Sequence, residues 1–440
     1  MIKPGLNGQL LSFKVFMEMQ ENPISMEDAE KYYNEYKTAH DRKQSEIFYQ
    51  MHKEDHWFRE KYDPQLLFKW KNEQKKQAQV LSKKFFDSLK NEEFKGICLE
   101  HQEDDTKGIE ENKGESKVNS PIDQAPYYGF DANKNTLFLK QIPVKVSRWD
   151  LLDTIKSTPG FISLSMSEPL RSQDFVRYAW VTYDSDENLE KSKTILEKFY
   201  SNPVKSVSTT QKSVKVTPFL SKGSITRDCT LSKKLIEVLD QAKEIENNPL
   251  LEAENSLSEQ EQLDLQLLYL RRVHAFCYYC CEEYDDERML ASKCGPQHVR
   301  LMKLQDQSEA KEELDDGEVV DEDAPTLFEQ KNSDKIQAII SKGPQLMNDP
   351  EEDKELVDRR TQYCQKKTKE LNVDRYSCQI CDKLFRAPHY VEKHLLNKHD
   401  DEVYKKVDQK RFEELLFENY MNDPNKFINQ PTNPFYQNVK

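Results

Sequence analysis

The chain has 440 residues, 36% of them hydrophobic and 33% charged, and its formal net charge at pH 7 is -14. This composition favours several small folded units joined by solvated segments over one large core. Because no segment offers the roughly 18 apolar residues of a membrane span, no apolar signal segment stands at the N-terminus and the nine cysteines are an odd number, we expect a soluble intracellular protein without a disulfide framework.

The N-terminal part predicts a helical domain over residues 1–98. Apolar and aromatic residues recur at helical spacing over residues 25–62, Pro64 breaks the pattern, and a second long helical run continues to Phe94. Residues 99–129 are rich in charged residues, serine and glycine and have few apolar ones. Such a segment cannot bury enough surface to order itself, so we predict an acidic flexible linker there.

Residues 130–225 alternate strand-like and helical runs in the order βαββαβ, which predicts a ferredoxin-like domain of the RNA-recognition-motif kind. The runs are, in order, NTLFLKQIP, SRWDLLDTIKS, GFISLSMSEP, VRYAWVTY, DENLEKSKTILEKFY and SVKVTPF. The last of these adjoins a basic stretch: residues 205–234 contain seven Lys or Arg and one acidic residue. A basic stretch beside such a sheet favours RNA as a ligand.

In RNA-recognition motifs the two central strands present aromatic rings on which bases stack. Phe138, Tyr178 and Trp180 hold the corresponding positions and alternate with apolar core residues. Lys140 and Arg177, basic neighbours on the same strands, complete the candidate RNA contacts. The second strand lacks the glycine with which its signature normally opens, so packing of this face against protein stays open as an alternative.

Residues 226–303 predict a middle helical domain, with helices over TLSKKLIEVLDQAKEI and EQLDLQLLYLRRVHAFCYY. Residues 304–325 follow as an acidic loop, since positions 306–323 carry ten acidic residues and one lysine. This loop is either a solvated segment or an internal ligand for a basic surface elsewhere in the chain. As an internal ligand it would compete with partners for that surface.

A cluster of cysteines lies in the middle domain. Cys277, Cys280, Cys294 and His298 have a spacing that suits a second zinc site. However, Cys277 falls within the predicted helix, whose apolar face already accounts for small buried thiols. The sequence therefore favours cysteines that pack in the core over cysteines that bind a metal. A hydrolase that uses these cysteines is a further alternative. Because no base and orienting acid accompany them, we expect no enzyme.

Residues 326–421 predict a helical leg that contains a zinc finger over 376–399, and residues 422–440, rich in Asn and Pro, predict a disordered tail. The candidate zinc ligands are Cys378, Cys381, His394 and His399. Their spacing supplies a thiolate pair from a hairpin and an imidazole pair from one helix face, as a tetrahedral site requires. Phe385 and Val391 stand where the small core of a finger needs apolar residues.

The helix of this finger has a poor set of residues for reading DNA. Ala387, Tyr390 and Lys393 occupy the positions that contact successive bases, and only Lys393 can reach a guanine edge. Residues 375–411 contain nine Lys or Arg against six Asp or Glu. This basic surface suits an acidic peptide or a phosphate backbone.

The segments together resemble the Serrate family of nuclear RNA effector proteins, also called the arsenite-resistance family. The resemblance lies in EKYYNEYKTAHDRKQSEIFYQMHKEDHWFREKYDP, TLFLKQIP, STPGFISLSMSEP, YAWVTYD, LDLQLLYLRRVHAFCYYC, CGPQHVR and FRAPHYVEKHLLNKH, in this order. It implies an α+β, mainly helical multi-domain architecture: a helical body, an RNA-recognition-motif-like domain and a single zinc finger with flanking helices.

The resemblance also implies a function. Family members are nuclear adaptors that link the cap-binding complex on new transcripts to RNA processing or decay machinery, including small-RNA biogenesis. In that family the basic finger surface receives short acidic motifs from partners, which assigns this role to Lys393, Lys398, Lys405 and Lys406, and the tail contacts the cap-binding complex. The alternative is a zinc-finger regulator of transcription that binds nucleic acid directly.

Overall fold

The three-dimensional structure, a computed structural model, is mainly helical with small sheets, which confirms the predicted fold class. It describes residues 5–19, 25–102, 135–171, 175–197, 204–205, 215–221, 223–252, 257–295, 297–302, 325–344 and 349–429. Apart from residue 325 and residues 99–102, the acidic loop predicted over 304–325 and the linker predicted over 99–129 lie outside these residues. Among the described helices, none is long and apolar enough to cross a membrane.

Four helices form the N-terminal part: α1 (Phe13–Glu18), α2 (Met26–His52), α3 (His56–Tyr62) and α4 (Pro64–Lys90). The side chain of Ser25 accepts a hydrogen bond from the backbone N–H of Asp28 and begins α2. Asp63 caps α4 in the same way, and Pro64 takes the first helical position, where its missing N–H costs nothing. The helical spacing of the sequence therefore corresponds to real helices, with one additional break between α2 and α3.

The next segments are β1 (Glu100–Gln102), β2 (Thr136–Ile142), α5 (Arg148–Ile155), β3 (Phe161–Met166), β4 (Arg177–Tyr183), α6 (Asp186–Leu196), β5 (Val204–Lys205) and β6 (Lys215–Leu220). An antiparallel sheet has the order β3-β4-β2-β5, and α5 and α6 cover one of its faces. The fourth strand of this sheet is therefore β5. The prediction that SVKVTPF forms it was wrong, because β6 pairs in parallel with a later strand of another sheet.

The middle part contains α7 (Ser224–Lys243), a 3₁₀ turn (Pro249–Leu251), α8 (Glu259–His274), β7 (Phe276–Cys277), β8 (Glu282–Glu283), α9 (Glu287–Cys294) and β9 (His298–Met302). Helix α8 ends at His274, because Ala275 adopts a left-handed conformation with φ of 50° and donates its N–H to the carbonyl of Leu270. The predicted continuation of this helix through Cys277 was therefore wrong, and Cys277 lies in β7. Strand β9 lies between β1 and β6 in a parallel sheet.

The C-terminal part contains α10 (Leu327–Lys342), a 3₁₀ turn (Pro350–Glu352), α11 (Lys354–Lys366), β10 (Thr368–Asn372), β11 (Arg375–Cys378), β12 (Leu384–Phe385), α12 (Pro388–Lys398), α13 (Asp400–Val403), a π-helical segment (Tyr404–Asp408), α14 (Gln409–Asn422) and a final 3₁₀ turn (Phe427–Asn429). Phe427 is buried in the protein core, with 1% of its surface exposed. The prediction of a disordered tail from residue 422 was thus wrong as far as residue 429, and residues 430–440 lie outside the described part of the chain.

Helices α2 and α3 meet the C-terminal helix α14 in one aromatic core. Trp57 and Phe58 of α3 pack with Tyr420 of α14 and with Phe427. A second, larger core joins α4, α7, α8 and α10. The four-stranded sheet is held to the first core by Phe175, whose ring stacks on Trp57 at a centroid distance of 4.2 Å. The four-stranded sheet, the N-terminal helices and α14 therefore pack against one another.

Candidate functional site

The four predicted finger ligands converge. Cys378 ends β11, Cys381 lies in the following turn, and His394 and His399 lie within and just after α12. The turn closes through a hydrogen bond from the N–H of Asp382 to the carbonyl of Cys378, with a φ of 55° at Asp382. The ligand atoms of the four residues all lie within 4.8 Å of one another.

This donor set fits a zinc ion. Two thiols and two imidazoles are the ligands of tetrahedral structural zinc. Among the described residues, Nε2 of His399 is buried and has no hydrogen-bond partner, which is the environment expected of a nitrogen that faces a metal. Burial lowers the pKa of His394, and the charges of His399 and Lys398 act in the same direction. With four protein ligands, such an ion has no open position for water and supplies structure without catalysis.

The apolar core of the finger includes more than the two residues predicted from sequence. Val391 is fully buried and Phe385 packs against it, as expected. Leu395 of α12 is fully buried as well, and its spacing of four from Val391 was a signal available in the sequence. A further member, Cys364, comes from α11, and burial raises the pKa of its thiol to about 11, which keeps it neutral as a packing residue.

The finger is joined to the leg by strand pairing and by ion pairs. Strand β10, which directly follows α11, pairs with β11 and makes the finger hairpin a three-stranded sheet. Arg360 of α11 donates two hydrogen bonds to Asp408, at 2.8 and 2.7 Å. Arg411 of α14 donates to Asp353 at 3.0 Å. These bidentate or near-bidentate pairs hold the helix that follows the finger against α11.

The four predicted docking lysines are all exposed. Lys393 and Lys398 lie on α12, and Lys405 and Lys406 lie in the π-helical segment. Within the part of the chain that the structure describes, no carboxylate forms an ion pair with any of the four. Their charges are therefore available to an anionic ligand. Tyr390, which also faces solvent with 51% of its surface exposed, lies on the same helix.

Three aromatic rings form a stack on the outer face of the four-stranded sheet. The ring of Phe138 lies 5.8 Å from that of Tyr178 and 5.1 Å from that of Trp180, with interplanar angles of 24° and 25°. All three rings are half-buried, and Lys140 on the same strand is exposed. The residues between them, such as Leu139 and Val181, are buried on the opposite face with α5 and α6, as the alternation predicts.

Arg177 was wrongly predicted as an RNA contact. Its side chain is 5% exposed and donates from Nη1 to Oε2 of Glu60 at 2.6 Å. Nε donates to the carbonyl of Ser167. Glu60, on α3, also accepts a hydrogen bond from the N–H of Arg148 at the start of α5. Arg177 therefore fixes the sheet to the helical body and has no surface to offer RNA.

The other end of the same sheet face packs against protein. Thr136 is fully buried and its hydroxyl accepts a hydrogen bond from Nη2 of Arg288 on α9 at 3.0 Å. Ser165 on β3 is also buried. Protein packing, the alternative left open by the sequence, is therefore found at one end of this face, and the three-ring stack at the other end is left half-exposed.

The structure also brings together Cys277, Cys280, Cys294 and His298, whose ligand atoms all lie within 4.8 Å of one another. The sequence argument against a metal there assumed that Cys277 belongs to α8. Because α8 ends at His274, that argument fails. The thiols do not form an apolar helical stripe.

Three family models of Serrate proteins match successive parts of the chain. They are described as the SERRATE/Ars2 N-terminal domain, at residues 14–117, the RNA-recognition domain of Serrate RNA effector molecule homolog, at 133–207, and Arsenite-resistance protein 2, at 309–439. A fourth model, a domain of unknown function (DUF4187), matches residues 249–298 and so spans the cysteine cluster.

The chain is also similar to individual proteins. The Serrate RNA effector molecule homolog of Caenorhabditis elegans is 25% identical over 95% of this chain and 76% of its own length. The human homolog is 24% identical over 66% of this chain, but only 38% of its own length is matched. A solved structure of Arabidopsis Serrate, described in connection with miRNA processing, covers 94% of this chain and 99% of its own with 20% identity and a TM-score of 0.45. From the ordered family matches along its length, the chain belongs to the Serrate/Ars2 family.

Proposed function

We propose that this chain is a nuclear adaptor in RNA processing that has no catalytic activity of its own. It contacts RNA with the outer face of its four-stranded sheet and docks short acidic motifs of RNA processing or decay proteins on its finger. Support comes from its family, whose members are named RNA effector molecules. It comes also from two exposed surfaces of different chemistry, the aromatic rings of the sheet and the lysines of the finger. The observation that carries the RNA part is the stack of Phe138, Tyr178 and Trp180.

The ring stack suits single-stranded RNA. Aromatic faces on a sheet stack with unpaired bases, whereas the bases of a duplex are already stacked on one another. Lys140 lies two residues along the strand from Phe138, and its exposed ammonium group can meet a phosphate. Because Arg177 is engaged with Glu60, we remove it from the RNA contacts and keep the other four.

We expect Tyr178→Ala to weaken the binding of a single-stranded RNA oligonucleotide. Loss of one stacked base costs about 1–3 kcal/mol, which corresponds to a rise in Kd of roughly 5- to 150-fold. Fluorescence anisotropy at fixed salt measures it. Ile162→Ala is the matched control, since it shortens an exposed apolar side chain on β3 of the same sheet and leaves the rings in place. Equal affinities for wild type and Tyr178→Ala would exclude the sheet as the RNA-binding face.

We propose that the finger holds one zinc ion and thereby fixes the lysines of α12. Cys378, Cys381, His394 and His399 would bind the ion, whose chemistry at this site is purely structural. The finger core is small, so metal coordination is the main force that could hold α12 against the hairpin. A fixed array of exposed ammonium groups recognises a carboxylate-rich peptide with little loss of entropy on binding.

The docking proposal rests on the four exposed lysines that lack ion-pair partners among the described residues. Lys393 and Lys398 are its main contacts, and Lys405 and Lys406 extend the surface on the next helical segment. The π-helical geometry of that segment supports this assignment, because π-bulges occur frequently at functional sites. Direct reading of DNA gains no support, because Ala387 is the N-cap of α12 and offers no hydrogen bond to a base.

We also propose that the C-terminal tail contacts the cap-binding complex, as the family resemblance implies. Within residues 422–429, Phe427 is buried in the aromatic core and Ile428 packs against it. This assigns the contact to residues 430–440, which lie outside the described part of the chain.

A further inference from the structure

The cysteine cluster of the middle domain has the geometry of a single metal site. Sγ of Cys294 lies 3.2 Å from Sγ of Cys277 and 3.4 Å from Sγ of Cys280. Nδ1 of His298 lies 3.3 Å from Sγ of Cys277 and 3.6 Å from the sulfurs of Cys280 and Cys294. Four soft or borderline donor atoms therefore surround one point.

These distances match the edges of a small tetrahedron. With bonds of about 2.3 Å to sulfur and about 2.0–2.1 Å to nitrogen, a tetrahedral zinc ion places its ligands roughly 3.8 Å apart for two sulfurs and roughly 3.6 Å apart for sulfur and nitrogen. The sulfur–nitrogen separations are equal to this or slightly shorter, and the two sulfur–sulfur separations, 3.2 and 3.4 Å, are shorter by about half an ångström. Since all four donor atoms lie within 4.8 Å of one another, the site has room for one ion and not for an iron–sulfur cluster.

Two cationic side chains point at the sulfurs. Nη1 of Arg271 donates to Sγ of Cys294 at 3.5 Å, and Nζ of Lys215 donates to Sγ of Cys280 at 3.4 Å. Arg271 is buried, and its Nη2 donates to the carbonyl of Gly295 at 2.7 Å. Three thiolates and one zinc ion carry a net charge of -1, which the two neighbouring cations compensate. Neutral thiols would leave the buried guanidinium without a negatively charged partner.

The backbone is shaped to present the four ligands. Cys277 and Cys280 come from the short hairpin of β7 and β8, where Cys281 has a φ of 55° and its N–H donates to the carbonyl of Tyr278. Cys294 ends α9, and His298 begins β9. Gly295 connects them with a φ of 90°, a conformation that a residue with a side chain rarely adopts.

We propose that Cys277, Cys280, Cys294 and His298 bind one structural zinc ion, in addition to the ion of the finger. Three of the four residues are almost fully buried, and four protein ligands leave no position for a reacting water. The proposal rests on this cluster alone and holds or fails independently of RNA or peptide binding.

The position of the site indicates what it stabilises. It ties the β7–β8 hairpin and the end of α9 to β9, which is the central strand of the parallel sheet. Arg288, on α9, donates to Thr136 in the four-stranded sheet. The ion would thus hold the helix on which one end of the RNA-recognition sheet rests.

Counting metal ions in the full chain tests the proposal. We expect native mass spectrometry and elemental analysis of the reduced wild-type protein, dialysed after zinc loading, to find two zinc ions per chain, one for each cluster. Cys294→Ser should retain one. Cys281→Ser is the matched control and should retain two, because its sulfur contacts Tyr278 and Asn332 and stands outside the cluster.

Several outcomes would overturn the proposal. One zinc ion in the wild type, absent from Cys378→Ser, would assign all metal to the finger. Iron in place of zinc would exclude a zinc site in the cluster. A disulfide between Cys277 and Cys294 in protein purified without reductant, seen as a polypeptide lighter by two hydrogens, would also exclude it. The wild-type count decides even if Cys294→Ser does not fold. Cobalt loading of the wild type adds a spectrum, in which a site with three thiolates gives stronger sulfur-to-metal charge transfer than a site with two.

Discussion

Cys381→Ser is expected to unfold the finger and leave the helical body intact. Structural zinc contributes about 10–16 kcal/mol of apparent folding free energy in isolated finger peptides, and the finger has only a small apolar core of its own. That core is separate from the aromatic core of α2, α3 and α14. Hydrogen exchange should therefore show lost protection across α12, while α8 stays protected.

The control for this change is Cys98→Ser, which alters an exposed cysteine outside both clusters. It should change neither the zinc content nor the exchange of α12. If α12 kept its full protection in Cys381→Ser, the strand β10 and the packing of Cys364 would be sufficient to fold the finger, and zinc would have no structural role there.

Glu60→Ala is expected to destabilise the protein by about 3–5 kcal/mol, because it leaves the buried guanidinium of Arg177 without its carboxylate. It also removes the acceptor for the N–H of Arg148 at the start of α5. Both losses act where the four-stranded sheet meets α3. Chemical denaturation followed by fluorescence and circular dichroism measures the free energy of unfolding.

A double substitution distinguishes two contributions to the free energy of unfolding: the loss of the Glu60–Arg177 ion pair and the cost of leaving the Arg177 charge buried without a partner. Glu60→Leu with Arg177→Leu should recover much of the stability that Glu60→Ala loses, since apolar groups can replace a buried ion pair at little cost. Glu187→Ala breaks the exposed pair with Lys191 and should change stability little. A loss in Glu60→Ala as small as that in Glu187→Ala would contradict the assigned role of the buried pair.

Local patterns predicted the parts of the fold that depend on neighbours in sequence. The alternation around Phe138 and Trp180 places the rings and the core on opposite faces, and the ligand spacing of the finger is set within one hairpin and one helix. Arg177 was misassigned for the opposite reason. Its partner Glu60 lies 117 residues away, and nothing near Arg177 in the sequence indicates that it is buried.

The remaining errors have the same origin. SVKVTPF has the pattern of a strand and is one, but its partner β9 follows three α-helices later, after α7, α8 and α9. Phe427 lies in an Asn- and Pro-rich segment, and its burial depends on Trp57 and Tyr62 at the far end of the chain. The end of α8 depends on one residue, Ala275, whose left-handed conformation no local propensity predicts.

The central claim is that one chain presents two separate surfaces, the ring stack for RNA and the finger lysines for acidic motifs. Both ligands are anionic, so a single basic surface would make them compete. The most direct test is a calorimetric titration of an Asp- and Glu-rich peptide into the full chain already saturated with single-stranded RNA. Lys393→Glu with Lys398→Glu is measured alongside, and Lys83→Glu with Lys84→Glu makes the same charge change on exposed residues of α4.

We predict that the peptide binds the RNA-saturated wild type as tightly as the free protein and displaces no RNA. The finger variant should lose about tenfold or more in peptide affinity and keep its RNA, because each exposed lysine turns from attraction to repulsion, while the α4 variant should bind both ligands normally. Displacement of RNA by the peptide, or equal loss of both ligands in the finger variant, would contradict the account.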